Sequence, residues 1–233
     1  FDDHLAIVNN RDTDPTTSLY SLFRNDIWGK YILKPDSHRS YRPLIILTFK
    51  LLRRIYDHPA FLRLINIVMH GIVTVLVYML SELVTGVSDV AMGSALLFAT
   101  HPVHVESVTA VVNMAEPVHA IFYILAFMIY YGQRRRNMAE MRMSWSRGLT
   151  WLLCVFVSIL CKETGLTVIG IIVADIILYT IKRILLGKAM VTQRNMVWFG
   201  LSVSVIGIYV VFRMYLLGQL FSGGDSTVMN SVY

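Results

Sequence analysis

From Leu64 to Val84 the chain runs almost without interruption through apolar side chains, 21 residues in all. As a helix that run reaches about 31 Å, enough to cross bilayer hydrocarbon of roughly 30 Å. It predicts a membrane span. Shorter or comparable apolar stretches follow at Val90 to Thr100, Pro117 to Tyr131, Leu149 to Cys161, Thr164 to Ile181 and Met196 to Leu217. Only 15% of the residues are charged and the mean hydropathy is +0.57. Soluble domains carry about 25% charged residues, so an ordinary cytosolic globule and a disordered tail are both excluded. The expected fold class is an all-α membrane protein, with residues 62–217 forming a multipass transmembrane core.

Residues 1–61 read differently. Asp2, Asp3, Asp12, Asp14, Asp26 and Asp36 alternate with Arg24, Lys30, Lys34, Arg39 and Arg42 among prolines and turn formers. This pattern predicts a folded, water-facing loop with short helices at Ser18 to Phe23 and Leu44 to Tyr56. The chain opens on Phe1 with no leader-like segment, so an upstream apolar helix is expected to precede it. Residues 218–233 are expected to begin a further water-facing loop.

Charge orients the set. The links 132–148 and 182–195 hold five and four Lys or Arg against the single acid Glu140, and short basic loops stay cytoplasmic. Parity then puts residues 1–61, the polar breaks at 101–116 and 162–163, and the tail on the opposite face. The net charge of +6 is explained by this topology. No dense basic run interleaved with stacking aromatics appears, so no nucleic-acid partner is expected. Cys154 and Cys161 lie about 10.5 Å apart along one helix, too far for a mutual disulfide.

The ionisable residues within or beside the apolar stretches carry the chemistry, because charges in a membrane face protein or water and mark functional paths. Asp2 and Asp3 stand side by side. They fit either a general base at a membrane boundary or two acids that solvate a helix end. His101, His104 and Glu106 cluster around Pro102, with Glu116 and His119 further on. Histidines three apart can ligate a metal, but Pro102 disturbs the helix and no HExxH-type set is present. Hydrogen bonds to phosphate or sugar, or satisfaction of polar groups at a helix break, are the other readings. Lys162 and Glu163 sit between two apolar segments, as a local salt bridge or as ligand-holding groups. Arg42 and Arg213 are either snorkelling interface anchors or cations for an anion. Acids and cations from distant parts of the chain thus converge on one predicted face. A lipid-linked phosphate reaction needs that mixture: cations for the departing phosphate and a carboxylate for the incoming proton.

Six motifs in order make the chain recognisable: Phe1-Asp2-Asp3, Asn25-Asp26-Ile27-Trp28-Gly29, Ser40-Tyr41-Arg42-Pro43-Leu44, His101-Pro102-Val103-His104-Val105-Glu106-Ser107-Val108, Ala115-Glu116 and Cys161-Lys162-Glu163-Thr164-Gly165. Together they resemble the membrane half of the transmembrane and tetratricopeptide-repeat containing family, over essentially the whole chain. The resemblance implies a C-type glycosyltransferase-like helical bundle in the endoplasmic reticulum membrane, with its active face luminal. It implies protein O-mannosyl transfer from dolichyl phosphate mannose to Ser or Thr of cadherin-type acceptor proteins. It also implies a first membrane helix upstream and tetratricopeptide repeats downstream of this stretch. By resemblance the catalytic acidic pair falls on Asp2 and Asp3, either of which is the base. Arg42, His101, His104, Glu106, Glu116, Lys162 and Glu163 belong to the motifs, and with Arg213 they form the expected phosphate- and substrate-binding set. The scheme is an inverting single displacement that calls for no metal or cofactor. Rival readings are a transferase for another polyprenyl-linked sugar, a multipass transporter or channel subunit, and a noncatalytic membrane scaffold.

Overall fold

The computed structural model describes residues 3–136, 145–187 and 193–216. Eight α-helices carry the described chain: α1 (Pro43–Ile55), α2 (Pro59–Thr85), α3 (Ser88–Thr100), α4 (Val105–Thr109), α5 (Ala115–Arg136), α6 (Trp145–Cys161), α7 (Thr167–Leu185) and α8 (Gln193–Leu216). No strand occurs among the described residues, where an isolated bridge joins Asn25 to Tyr31.

The opening loop is folded by buried polar groups rather than by regular structure. Asp26, 1% exposed, accepts from the amides of Trp28, Lys30 and His38, each at 3.0 Å, and from the Ser37 hydroxyl at 2.6 Å. Gly29 turns beside it at φ +76°, and a Cβ there would lie 2.4 Å from Asn10 Oδ1. The loop is then fastened to α1. Lys50 is buried, and its Nζ donates to the carbonyls of Asp14 and Thr17 at 2.6 Å and to the Thr17 hydroxyl at 2.7 Å. Arg53 Nη1 donates to the Ile7 carbonyl and the Thr13 hydroxyl. An ammonium without a carboxylate partner is tolerable in so dry a place only because three oxygens surround it. The expected helix at Ser18 to Phe23 is a single 3₁₀ turn, Ser21–Phe23. The helix expected at Leu44 to Tyr56 is α1, which starts with Pro43 in its first turn.

The α2 helix begins at Pro59, where His58 Nδ1 accepts from the Ala60 amide, and stops at Gly86 in the left-handed region at φ +74°. The returning α3 packs on α2 through the buried Ala91 and Ala95. It ends at Thr100, because Pro102 cannot extend it and His101 is extended. A 3₁₀ turn (Pro102–His104), α4 and a second 3₁₀ turn (Val111–Met114) fill the break before α5. A matching break follows α6, where Lys162 is extended at φ −157° and a 3₁₀ turn (Glu163–Leu166) leads into α7.

Among the described residues, four segments are long and apolar enough to cross a membrane: Pro59–Thr85, Val111–Gly132, Glu163–Leu185 and Met196–Tyr215. The shorter apolar helices are α3 and Ser146–Cys161 within α6. Leu64, Ile67, Val75, Leu96, Leu178 and Val211 all point outward. So much apolar surface is stable only against lipid, and the chain is a multipass membrane protein. Its buried side chains form one core beneath the loop, around Ile7, Ile45, Phe49, Val111, Met114 and Cys161. A second core lies deeper, around Tyr130, Trp151, Val155, Ile169, Ile172 and Trp198.

Candidate active site

The polar breaks and the loop meet on one face of the bundle. Asp3 opens this assembly: its Oδ1 accepts from the Val112 amide at 2.7 Å and its Oδ2 from the Val111 amide at 3.2 Å. These are amides at the start of a 3₁₀ turn, which have no acceptor within the turn and suit a carboxylate. Asp2 lies outside the described residues. The same turn is fixed from below by Asn66 of α2, wholly buried, whose Nδ2 donates to the Ala110 carbonyl at 3.0 Å.

Two ion pairs extend the row. Lys162 Nζ bonds Glu116 Oε1 in the first turn of α5, and Arg42 Nε lies 3.4 Å from Glu163 Oε2. Lys162 and Glu163 are adjacent but pair in different directions, because Lys162 is extended and the 3₁₀ turn begins immediately after it. That turn approaches α6 so closely that a Cβ on Gly165 would lie 2.6 Å from Ser158. Arg213, near the end of α8, donates to the Arg39 carbonyl at 3.2 Å, and Phe212 meets Tyr41 edge-on at 5.4 Å. Loop, α5, α6 and α8 are therefore joined at one surface.

The histidines form a separate group. The His104 ring lies 4.2 Å from Phe98 and 5.3 Å from His70, with His101 6.1 Å away. Burial, then the neighbouring His70 and His101, hold the His104 imidazole below its ordinary range and favour its neutral form. His101 Nδ1 accepts from the Val103 amide and so caps the 3₁₀ turn after α3. No group of three or more His, Cys, Asp or Glu side chains able to hold a metal occurs among the described residues.

Two cavities flank the ion pairs. The first, about 430 Å³, is lined by His70, Phe98, His104, Glu106, Asn113, Glu116 and His119 together with a few aliphatic side chains. The second, about 240 Å³, is almost wholly apolar, lined by Tyr41, Phe156, Leu160, Val205, Ile208 and Phe212 with Glu163 and Arg213 as its charged members. Of the residues expected from the sequence, His104, Glu106 and Glu116 line the first cavity, and Glu163 and Arg213 the second. Lys162 and Arg42 pair with members of these linings, whereas His101 serves the backbone. Sequence reasoning missed His70, Phe98, Asn66 and Asn113. A lone Asn or His inside an apolar run was the available signal.

The chain is 39% identical over 172 residues to the mouse Protein O-mannosyl-transferase TMTC3, a match covering 73% of this chain and 18% of that protein. It is 38% identical over 190 residues to the human Protein O-mannosyl-transferase TMTC4, covering 73% of the chain and 25% of the relative. Human Protein O-mannosyl-transferase TMTC2 aligns over 243 residues at 31% identity, covering 99% of the chain and 29% of its own length. The chain thus spans less than a third of each of these curated relatives. No family model matches it, and no solved structure matches it. A similarity that takes in nearly every residue leaves a single assignment: the chain belongs to the TMTC family, the transmembrane and tetratricopeptide-repeat containing proteins whose curated members are named protein O-mannosyl-transferases.

Proposed function

We propose that this chain is the catalytic membrane part of a protein O-mannosyltransferase, and that it moves mannose from dolichyl phosphate mannose to Ser or Thr hydroxyls of cadherin-type acceptor proteins. The reaction takes place on the luminal face of the endoplasmic reticulum membrane. The observation that carries the reading is a row of contacts: Asp3 accepts from the Val111 and Val112 amides, just before Asn113 of the first cavity, Lys162 pairs with Glu116 of that cavity, and Arg42 pairs with Glu163, which lines the apolar cavity together with Arg213.

The acceptor hydroxyl oxygen attacks the anomeric carbon of mannose. The bond from that carbon to the phosphate oxygen breaks, and dolichyl phosphate leaves with the electron pair. A phosphate is a weak base, so no acid is needed to protonate it, and a single in-line displacement inverts the anomeric centre. The cations offset charge that builds on the departing phosphate. Tyr41, Phe212 and their apolar neighbours suit the first units of the polyprenyl chain. Both oxygens of Asp3 already accept backbone amides, so we assign Asp3 a positioning role and Asp2 the proton transfer.

The test is mannosyl transfer by the full-length protein in membranes. Asp2→Asn is expected to lower kcat by about 10²-fold or more, the usual scale of general-base catalysis, with donor KM little changed. Asp3→Asn keeps one amide acceptor and is expected to retain measurable turnover. A wild-type rate in Asp2→Asn removes the proposed base.

A further inference from the structure

We propose that the 430 Å³ cavity is the subsite for the donor's sugar ring, with Glu106 and Asn113 reading its hydroxyls and the Phe98–His104 pair supporting its apolar face. The inference rests on the transferase reading and assigns it a place for the sugar.

In a single displacement the transferring sugar must lie between the base and the departing phosphate. The cavity answers that requirement at both ends. On one side, its lining residue Asn113 follows directly on Val112, whose amide holds Asp3. On the other, its lining residue Glu116 is bonded to Lys162, next to the Glu163–Arg42 pair. A ring seated there lies between the acidic motif and the cations.

The chemistry of the lining points the same way. A hexose presents several hydroxyls, each donor and acceptor, and one face of C–H bonds. Glu106, whose side chain is exposed into the cavity and carries no ion pair among the described residues, offers acceptor oxygens only, while Asn113 offers both donors and acceptors. Phe98 and His104, tilted at 42° and 4.2 Å apart, present ring surface whose negative face attracts C–H edges. A phosphate in the same space would meet the carboxylate of Glu106, which has no ion pair among the described residues, and a polyprenyl tail would leave that carboxylate without solvent. The second cavity, apolar apart from Glu163 and Arg213, complements a prenyl chain instead. The two cavities with the ion pairs between them thus match an amphiphile of lipid, phosphate and sugar in that order.

The experiment uses the full-length protein in detergent with two pure lipids, dolichyl phosphate and dolichyl phosphate mannose. Thermal-shift titration reads their affinities, and transfer to an acceptor domain is assayed in parallel. Wild type is expected to bind the mannosylated lipid at least about tenfold more tightly than the bare one, equivalent to one or two hydrogen bonds. Glu106→Gln and Phe98→Leu should each bring the two lipids to within about threefold of one another by weakening dolichyl phosphate mannose. The unfolding temperature of each variant without lipid, expected within a few degrees of wild type, reports that it is folded. If both variants still distinguish the lipids as wild type does, or if wild type does not distinguish them, the subsite assignment is overturned. Wild-type discrimination without any mannosyl transfer would overturn the transferase reading and leave the sugar subsite standing.

Discussion

A single titration decides the character of the histidine group. His104 lies on the break after α3, its imidazole tilted against Phe98 and crowded by His70 and His101, with Glu106 two residues along. Its pKa is lowered in the folded chain, by burial first and by the two histidines next. Unfolded, it takes the ordinary value near 6.5, so the unfolded chain binds more protons just below that pH. The stability that neutral His104 contributes is therefore fully present above about pH 6.5 and is lost as pH falls towards the lower folded value. Thermal unfolding at pH 7.5 and pH 5.5 should show a drop at the acid pH that is smaller in His104→Phe, which keeps an aromatic ring against Phe98 and cannot be protonated. An equal drop in both proteins would assign the acid sensitivity to other groups. Nothing in the spacing of His101 and His104 forecast this, because the ring that matters most, His70, lies in a different helix, α2.

At the scale of elements, the two helix breaks do the organising. The end of α3 was legible in residues 101–106, since His-Pro after 11 apolar residues is both a polar interruption and a helix stop. The Lys162-Glu163 break was legible for the same reason. Their internal construction was not, because it depends on backbone groups: Asn66 holds Ala110, Asp3 holds Val111 and Val112, and Ser158 donates to the His119 carbonyl. Side-chain patterns carry no record of which amide or carbonyl will receive them. Gly165 is the sharpest case, a position that looks like an ordinary loop glycine and is a contact with Ser158 and Ile159. Gly165→Ala must push the Glu163–Leu166 turn away from the α6 backbone, at a cost of about 1–3 kcal/mol typical of overpacking. The displaced turn carries Glu163 away from Arg42. A lowered unfolding temperature together with weaker binding of dolichyl phosphate is the expected result, and unchanged values of both would show that the turn has room to give.

Across the whole molecule, the loop, residues 101–116, residues 162–163 and the end of α8 touch one another, and we propose that the basic links lie on the opposite side of the membrane. Both native cysteines are buried and free, so introduced ones can be read against a low background. In sealed vesicles, a membrane-impermeant maleimide should label cysteines at Lys34 and Val103 together from one side, and a cysteine at Lys182 from the other. Lys34 and Val103 labelling from opposite sides would break the proposed topology. The apolar helices and the polar contacts between the breaks could be anticipated from hydropathy and charge. The division of the polar face into a cavity of mixed lining and an apolar one could not, since it arises where α2, α3, α5, α6 and α8 converge from far-apart stretches of chain.

The two amides that hold Asp3 are 108 and 109 residues further along the chain. During synthesis the acidic motif therefore emerges long before its anchor exists, and it stays untethered until the α2–α3 hairpin has entered the bilayer and the turn at Val111 has formed. A nascent chain that stalls within α3 would display every residue of its first loop and yet leave Asp3 without its anchor.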